Sequence, residues 1–81
     1  MKIVKTSEYQ PDFSLLLAKD QKRVNEVEDI IKNSDNPTNL NFVVEKPPFE
    51  DTHEYSATVK DVLIFITFRI ENDQCVLVDV I

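Results

Sequence analysis

Four side chains stand out in this 81-residue chain as candidates to move a proton or hold a phosphate: Lys46, His53, Tyr55 and Arg69. His53 stands with Glu50, Asp51 and Glu54 in the one acid/base cluster of the sequence. An imidazole with an ordinary pKa near ~6.5 suits a general base at neutral pH, yet no partner stands at a defined spacing from it. As a metal site the cluster lacks a second His or a Cys, and hard-ion loops use a more regular spacing, so a solvated loop is the plainer reading. Lys46 and Arg69 could meet an RNA backbone, but in acidic surroundings they read as ordinary turn and strand-end charges. Tyr55 could offer a hydroxyl, although its place in an alternating stretch favours packing. Cys75, between a polar turn and an apolar run, reads as a small core residue rather than a nucleophile. No catalytic set is assigned on these grounds.

Composition narrows the classes further. Glycine is absent, which excludes a phosphate loop, a dinucleotide fingerprint and a nucleophile elbow, since each needs glycine where backbone turns sharply or meets a ligand. Positive-φ turn positions must then fall to Asn and Asp, with Asn72-Asp73 the best placed. The net charge is −6. Residues 41–81 hold three basic side chains (Lys46, Lys60, Arg69) against eight acidic ones, or −5 of that total, and such a surface repels nucleic acid. No apolar stretch reaches the roughly 18 residues of a membrane span, and no signal-peptide core follows Met1. A lone cysteine forms no internal disulfide and fits a reducing cytoplasm.

The elements that must position these residues can be read along the chain. Lys2–Thr6 reads as a strand. Tyr9-Gln10-Pro11-Asp12 leads into a helix whose apolar stripe is Phe13, Leu16 and Leu17. Asp20 is placed to cap a second helix running to about Asn33, with Val24, Val27, Ile30 and Ile31 on one face. Lys22–Glu26 and Glu28–Lys32 have the spacing of supporting ion pairs, and Asn33 can close the helix in the left-handed conformation before Pro37. Leu40–Val44 reads as a second strand. From Glu54 to Ile81 three apolar segments separated by Lys60-Asp61 and by Glu71-Asn72-Asp73-Gln74 read as a hairpin meander. Val62–Phe68 is apolar at nearly every position, which points to a central strand covered on both faces. The expectation is one α+β domain over residues 1–81: an N-terminal strand, a two-helix hairpin, then an antiparallel β-meander packed on one face by the helices.

That order, with its punctuation, resembles the RelE/ParE toxin superfamily. Val4-Lys5-Thr6 and Phe13 match the opening strand and helix start, and Asn36-Pro37 matches the Asn-Pro that ends the second helix. Tyr55-Ser56-Ala57-Thr58-Val59 takes the place of a Ser-x-Arg-Val strand. Asp61-Val62-Leu63-Ile64 takes that of an Asp-Tyr-Arg-Val strand, and Val78-Asp79-Val80 that of the last. The resemblance implies an antitoxin partner and, for active members, cleavage of mRNA at the ribosome by Lys, Arg, Tyr or His side chains. Here Thr58 replaces the arginine of the first motif, Val62-Leu63 replace the Tyr-Arg pair, and the chain stops at Ile81, short of the aromatic or His-Arg tail of many members. Phosphodiester cleavage needs cations where charge develops and a proton donor for the leaving oxygen, and these replacements supply neither.

The sequence therefore reads as a divergent RelE/ParE-like protein that has lost its catalytic residues and acts through protein–protein contacts. The expected partner is antitoxin-like or basic; RNA or the ribosome is disfavoured, and no membrane, cofactor or metal is called for. Two alternatives stay open. One is a ribosome-dependent endoribonuclease with an atypical site drawn from Lys46, His53, Tyr55 and Arg69. The other is a small phage or mobile-element interaction module that shares only the fold.

Overall fold

The computed structural model describes residues 1–46 and 53–81. Strand β1 (Lys2–Lys5) is followed by two helices, α1 (Tyr9–Ser14) and α2 (Ala18–Lys32), and a 3₁₀ turn at Pro37–Asn39. Strands β2 (Val43–Glu45), β3 (Tyr55–Val59), β4 (Ile64–Glu71) and β5 (Gln74–Val80) complete the α+β architecture. β2 to β5 form the expected antiparallel meander. β1 lies beside β5 and runs parallel to it, so the sheet is mixed, in the order β1-β5-β4-β3-β2. The chain thus enters at one edge of the sheet and crosses its inner face as two helices before starting the meander at the other edge. Parallel neighbours need such a crossover, and the helical segment supplies it. No described helix is long and apolar enough to cross a membrane.

The turns follow the chemistry of a chain without glycine. Asn72 and Asp73 take positive φ (51° and 60°) between β4 and β5, as expected, and Asp61 does the same (φ 67°) between β3 and β4. Asn and Asp tolerate this region because their short side chains can bond to nearby backbone. Asn33, in contrast, closes α2 in the right-handed region (φ −86°), with its N–H on the Asp29 carbonyl; the left-handed cap expected there is not used.

Both helices begin earlier than their sequence reading, and α1 also ends earlier, whereas α2 ends at Lys32 with Asn33 as its cap, as expected. α1 stops at Ser14, so Phe13, Leu16 and Leu17 do not share one helical stripe. Leu15 is 86% exposed and Leu17 is also exposed. The tight link between the helices breaks the period. The side-chain amide of Gln21 holds it by donating to the carbonyls of Phe13 (3.1 Å) and Leu16 (3.2 Å). Leu17, with extended backbone, is the residue before α2, and its carbonyl accepts from the N–H groups of Asp20 and Gln21. Asp20 is therefore not the cap but lies in the first turn, where a carboxylate still favours the helix dipole. Val24, Val27 and Ile31 are buried as expected, whereas Ile30 is half exposed. β2 starts three residues later than expected because the 3₁₀ turn at Pro37–Asn39 takes up the chain before it.

β4 is the central strand of the five, but it begins at Ile64. Val62 and Leu63 belong to the turn before it, and Leu63 is 90% exposed. The expectation of cover on both faces holds only in part. Ile64, Ile66 and Phe68 point into the core with Ala57, Val59, Cys75, Leu77 and Val80, beneath Tyr9, Val24, Val27 and Ile31. On the other face Phe65 is exposed, whereas Thr67 and, on β5, Val76 are buried. An antiparallel meander can leave one face open, so a run of apolar residues does not by itself show that both sides are covered. A register shift between Thr67 and Phe68, with Val78 as the extra residue on β5, keeps both Leu77 and Val80 on the inner side.

Truncating a central inward residue leaves a cavity that the flanking strands cannot close. Ile66→Ala should cost about 2–5 kcal/mol in urea unfolding, whereas Leu63→Ala should cost less than about 0.5 kcal/mol. Similar losses for the two would show that Ile66 is not in the core.

Candidate functional site

The side chains singled out from the sequence gather at one end of the meander but divide between its two faces. Glu45 pairs with Tyr55, and Tyr55 pairs with Phe68. Phe68 is fully buried and the Tyr55 ring stacks on it (5.5 Å between centroids, 23° between planes), so Tyr55 belongs to the inner, helix-covered side. Arg69 follows Phe68 and faces the opposite way, because side chains alternate along a strand. Its Nε donates to Glu71 Oε1 at 2.9 Å. Lys46 follows Glu45, and its N–H donates to the Glu54 carbonyl at 2.9 Å. His53 Nδ1 lies 3.3 Å from Glu45 Oε1 in an exposed pair. Glu50 and Asp51, its other expected neighbours, lie outside the described residues. Among the described residues no three His, Cys, Asp or Glu side chains gather as a metal site would require.

This end of the sheet can therefore offer an imidazole beside Glu45 and the cations Lys46 and Arg69, with the Tyr55 phenol on the side opposite Arg69. Lys46, His53, Tyr55 and Arg69 share a neighbourhood but do not converge on one point. The positions at which RelE/ParE motif residues are replaced lie elsewhere. Thr58, Val62 and Leu63 cluster at the β3–β4 turn, the opposite end of β3 from Tyr55.

Cys75 is fully buried, and burial pushes its thiol up to about 11 despite a small opposing effect of the terminal ammonium. A thiol so shielded is a packing residue and not a nucleophile.

The sequence did not reveal a buried polar group that joins α2 to β1 and α1. Glu28, read as an outward partner for Lys32, instead turns into the interface between α2 and the sheet and is buried. Its Oε1 accepts a hydrogen bond from the Tyr9 hydroxyl (3.0 Å) and lies 3.2 Å from Lys5 Nζ. Lys5 Nζ also sits 5.6 Å from the centre of the Tyr9 ring, within cation–π range. Tyr9 is fully buried, and burial first, then the charge of Glu28 and the hydrogen bond to it, push its phenol far above the ordinary range. It stays a neutral donor at any physiological pH. The only sequence signal for this group is an acidic residue at helical spacing between the buried Val24, Val27 and Ile31.

Two kinds of concavity flank α2. On the β1 side a polar cavity of about 390 Å³ is lined by Lys2, Ile3, Lys5, Glu28, Asp29 and Lys32. On the β3 side a more apolar cavity, also about 390 Å³, is lined by Val27, Ile30, Asn41, Phe42, Thr58 and Lys60.

No family model matches this chain, and no curated protein matches it by sequence. Its fold, however, superposes on a chain of the archaeal RelE–RelB complex from Pyrococcus horikoshii with a TM-score of 0.74. The match covers 98% of this chain and 90% of that one at 14% identity. The RelB–RelE antitoxin–toxin complex from Methanococcus jannaschii gives 0.72 at 17% identity, over 96% of this chain and 87% of that one. The fold is RelE/ParE-like. At these identities the likeness extends to the path of the chain and not to its side chains.

Tyr9 links its own ionisation to folding. Its pKa is raised in the folded state, so it binds more protons folded than unfolded above the ordinary value of 10.0, and its contribution is lost as pH rises through that point. Cys75, raised from 9.0 to about 11, acts in the same direction over that interval. Thermal melts followed by circular dichroism should show stability falling from about pH 9 and more steeply above about pH 10. Tyr9→Phe should flatten the steeper part while costing about 1–3 kcal/mol at neutral pH, because Glu28 loses a buried donor. An unchanged alkaline slope in that variant would show that Tyr9 is not the linked group.

Proposed function

We propose that this chain is the toxin-like member of a RelE–RelB-type pair, that it has lost ribonuclease chemistry, and that it acts through contacts with a protein partner. The support for a partner is the fold, shared with chains that occur in toxin–antitoxin complexes. The observation that carries the loss of chemistry is the division of candidate groups between the sheet faces. In-line cleavage of a phosphodiester needs a base, a proton donor and cations within reach of one phosphorus atom. Tyr55 packs on the inner side, Arg69 is engaged by Glu71, and the motif positions at the β3–β4 turn carry Thr58, Val62 and Leu63 in place of cationic and phenolic residues. A hydroxyl and two aliphatic side chains cannot neutralise charge developing on a phosphate.

A second reading, an endoribonuclease with an atypical site, rests on the proximity of His53, Lys46 and Arg69 at one end of the meander. It asks an exposed imidazole and two cations on an acidic surface to hold a polyanion unaided, and is the weaker of the two.

Induced expression should arrest neither growth nor translation in a bacterial host, and the purified protein should leave ribosome-bound mRNA intact. Cleavage of that mRNA, abolished by His53→Ala or Arg69→Ala, would reject the proposal in favour of the nuclease.

A further inference from the structure

The apolar face of α2 is covered by the sheet only in part. Val24, Val27 and Ile31 are buried, but Ile30, three residues after Val27, stays 48% exposed. It lines instead the apolar cavity of about 390 Å³ on the β3 side, with Val27, Asn41, Phe42, Thr58 and Lys60. The wall opposite the helix is tied down, because the Thr58 N–H donates to the Phe42 carbonyl at 3.0 Å and joins the segment before β2 to β3. A second cavity of about 210 Å³ adjoins the first, sharing Val27, Ile30 and Lys60 with it and adding Arg23, Glu26, Val59 and Asp61. One end of the resulting groove is therefore mostly apolar, and the other carries two cations and two carboxylates.

These four charges come from two elements. Arg23 and Glu26 stand on α2, and Lys60 and Asp61 stand in the turn after β3, where Asp61 takes positive φ (67°). Opposite charges thus line one space, yet among the described residues none of the four is engaged in an ion pair.

We propose that this groove binds a free apolar α-amino acid. The ligand's aliphatic or aromatic side chain lies on Val27, Ile30 and Phe42, and its ammonium and carboxylate lie among Arg23, Glu26, Lys60 and Asp61. A ligand bearing one charge meets a like charge here as well as an opposite one, whereas a head bearing both is complementary to both signs. A polyphosphate is disfavoured for the same reason, since it brings charge of a single sign against Glu26 and Asp61. The larger cavity, at about 390 Å³, lies within the roughly 300–1,000 Å³ of small-molecule sites and has their usual lining, apolar with a few polar groups. Burial of the ligand's apolar body supplies affinity, and the charges choose its head. The groove lies on the side of α2 away from β1 and calls on no partner protein, so the inference stands or falls apart from the toxin-like reading.

The test titrates the full chain with leucine and with phenylalanine and follows its amide chemical shifts by NMR. At least one of the two should give saturable shifts at Ile30, Phe42 and Lys60. For the one that binds, the analogue without its ammonium and the analogue without its carboxylate (phenylpropionate and phenylethylamine in the case of phenylalanine) should each bind at least about tenfold more weakly. Lys60→Gln and Glu26→Gln change exposed side chains, and each should weaken binding at least about fivefold while leaving the circular dichroism spectrum unchanged. No saturable response to either amino acid would overturn the proposal. Equal binding of either analogue, unaltered affinity in either variant, or shifts confined to the β1 side of α2 would do so as well.

Discussion

The carboxylate of Glu28 is the constraint around which the first half of the molecule is arranged. Burying a charged group is costly unless it is paired and hydrogen-bonded. Here the two partners come from two other elements: the hydroxyl of Tyr9 at the start of α1, and the ammonium of Lys5 at the end of β1. Satisfying one oxygen of α2 thus fixes where β1 ends, where α1 begins and how α2 lies on the sheet. The aromatic ring that donates the hydrogen bond also stacks near Phe13 (6.4 Å) and lies beneath the lysine, so apolar and polar demands coincide on one side chain. The short α1 follows from this, because Tyr9 must reach Glu28 while the Gln21 amide holds the link after Ser14.

The second half is held by a different means. Between β3, β4 and β5 the stabilising unit is the row of inward residues, Val59 with Ile64, Ala57 with Ile66 and then Val80, Tyr55 with Phe68 and then Leu77. Such cross-strand rows are local in sequence and need only tight turns to form, and Asp61, Asn72 and Asp73 provide the backbone for them without glycine. β1 joins this meander by parallel pairing with its last strand, so the two halves of the chain close on each other only after both exist.

This difference explains what the sequence disclosed. The meander, its two turns, the buried face of α2 and the α+β class were legible, because each depends on a period or a turn residue visible within a few positions. The place of β1 beside β5 was not, since parallel pairing of the first strand with the last leaves no local mark. Glu28 was misread for a related reason: at i,i+4 from Lys32 it has the pattern of a surface ion pair, and only the arrival of Tyr9 and Lys5 from elsewhere makes its burial tolerable. Leu17 and Leu63 were misread in the opposite direction. Their apolar character suggested burial, but each lies in a link or turn where the backbone, not the side chain, determines exposure.

The candidate site was legible as a neighbourhood and not as a constellation, and the period of the strand is the reason. Glu45 and Tyr55 occupy one parity across the β2–β3 pair with Phe68, and Arg69, the next residue on β4, occupies the other. A sequence reading that gathers reactive residue types by proximity ignores this parity, yet it decides whether groups can reach the same atom. Bringing Tyr55 to the side of Arg69 would require a one-residue slip of β3, and that slip would carry Ala57 and Val59 out of the core. Stability and chemistry are therefore in direct competition at this end of the sheet. A fold that keeps Ala57, Val59 and Phe68 inside has no means of recruiting the phenol for work on the outer face. Any activity there would have to be built without it.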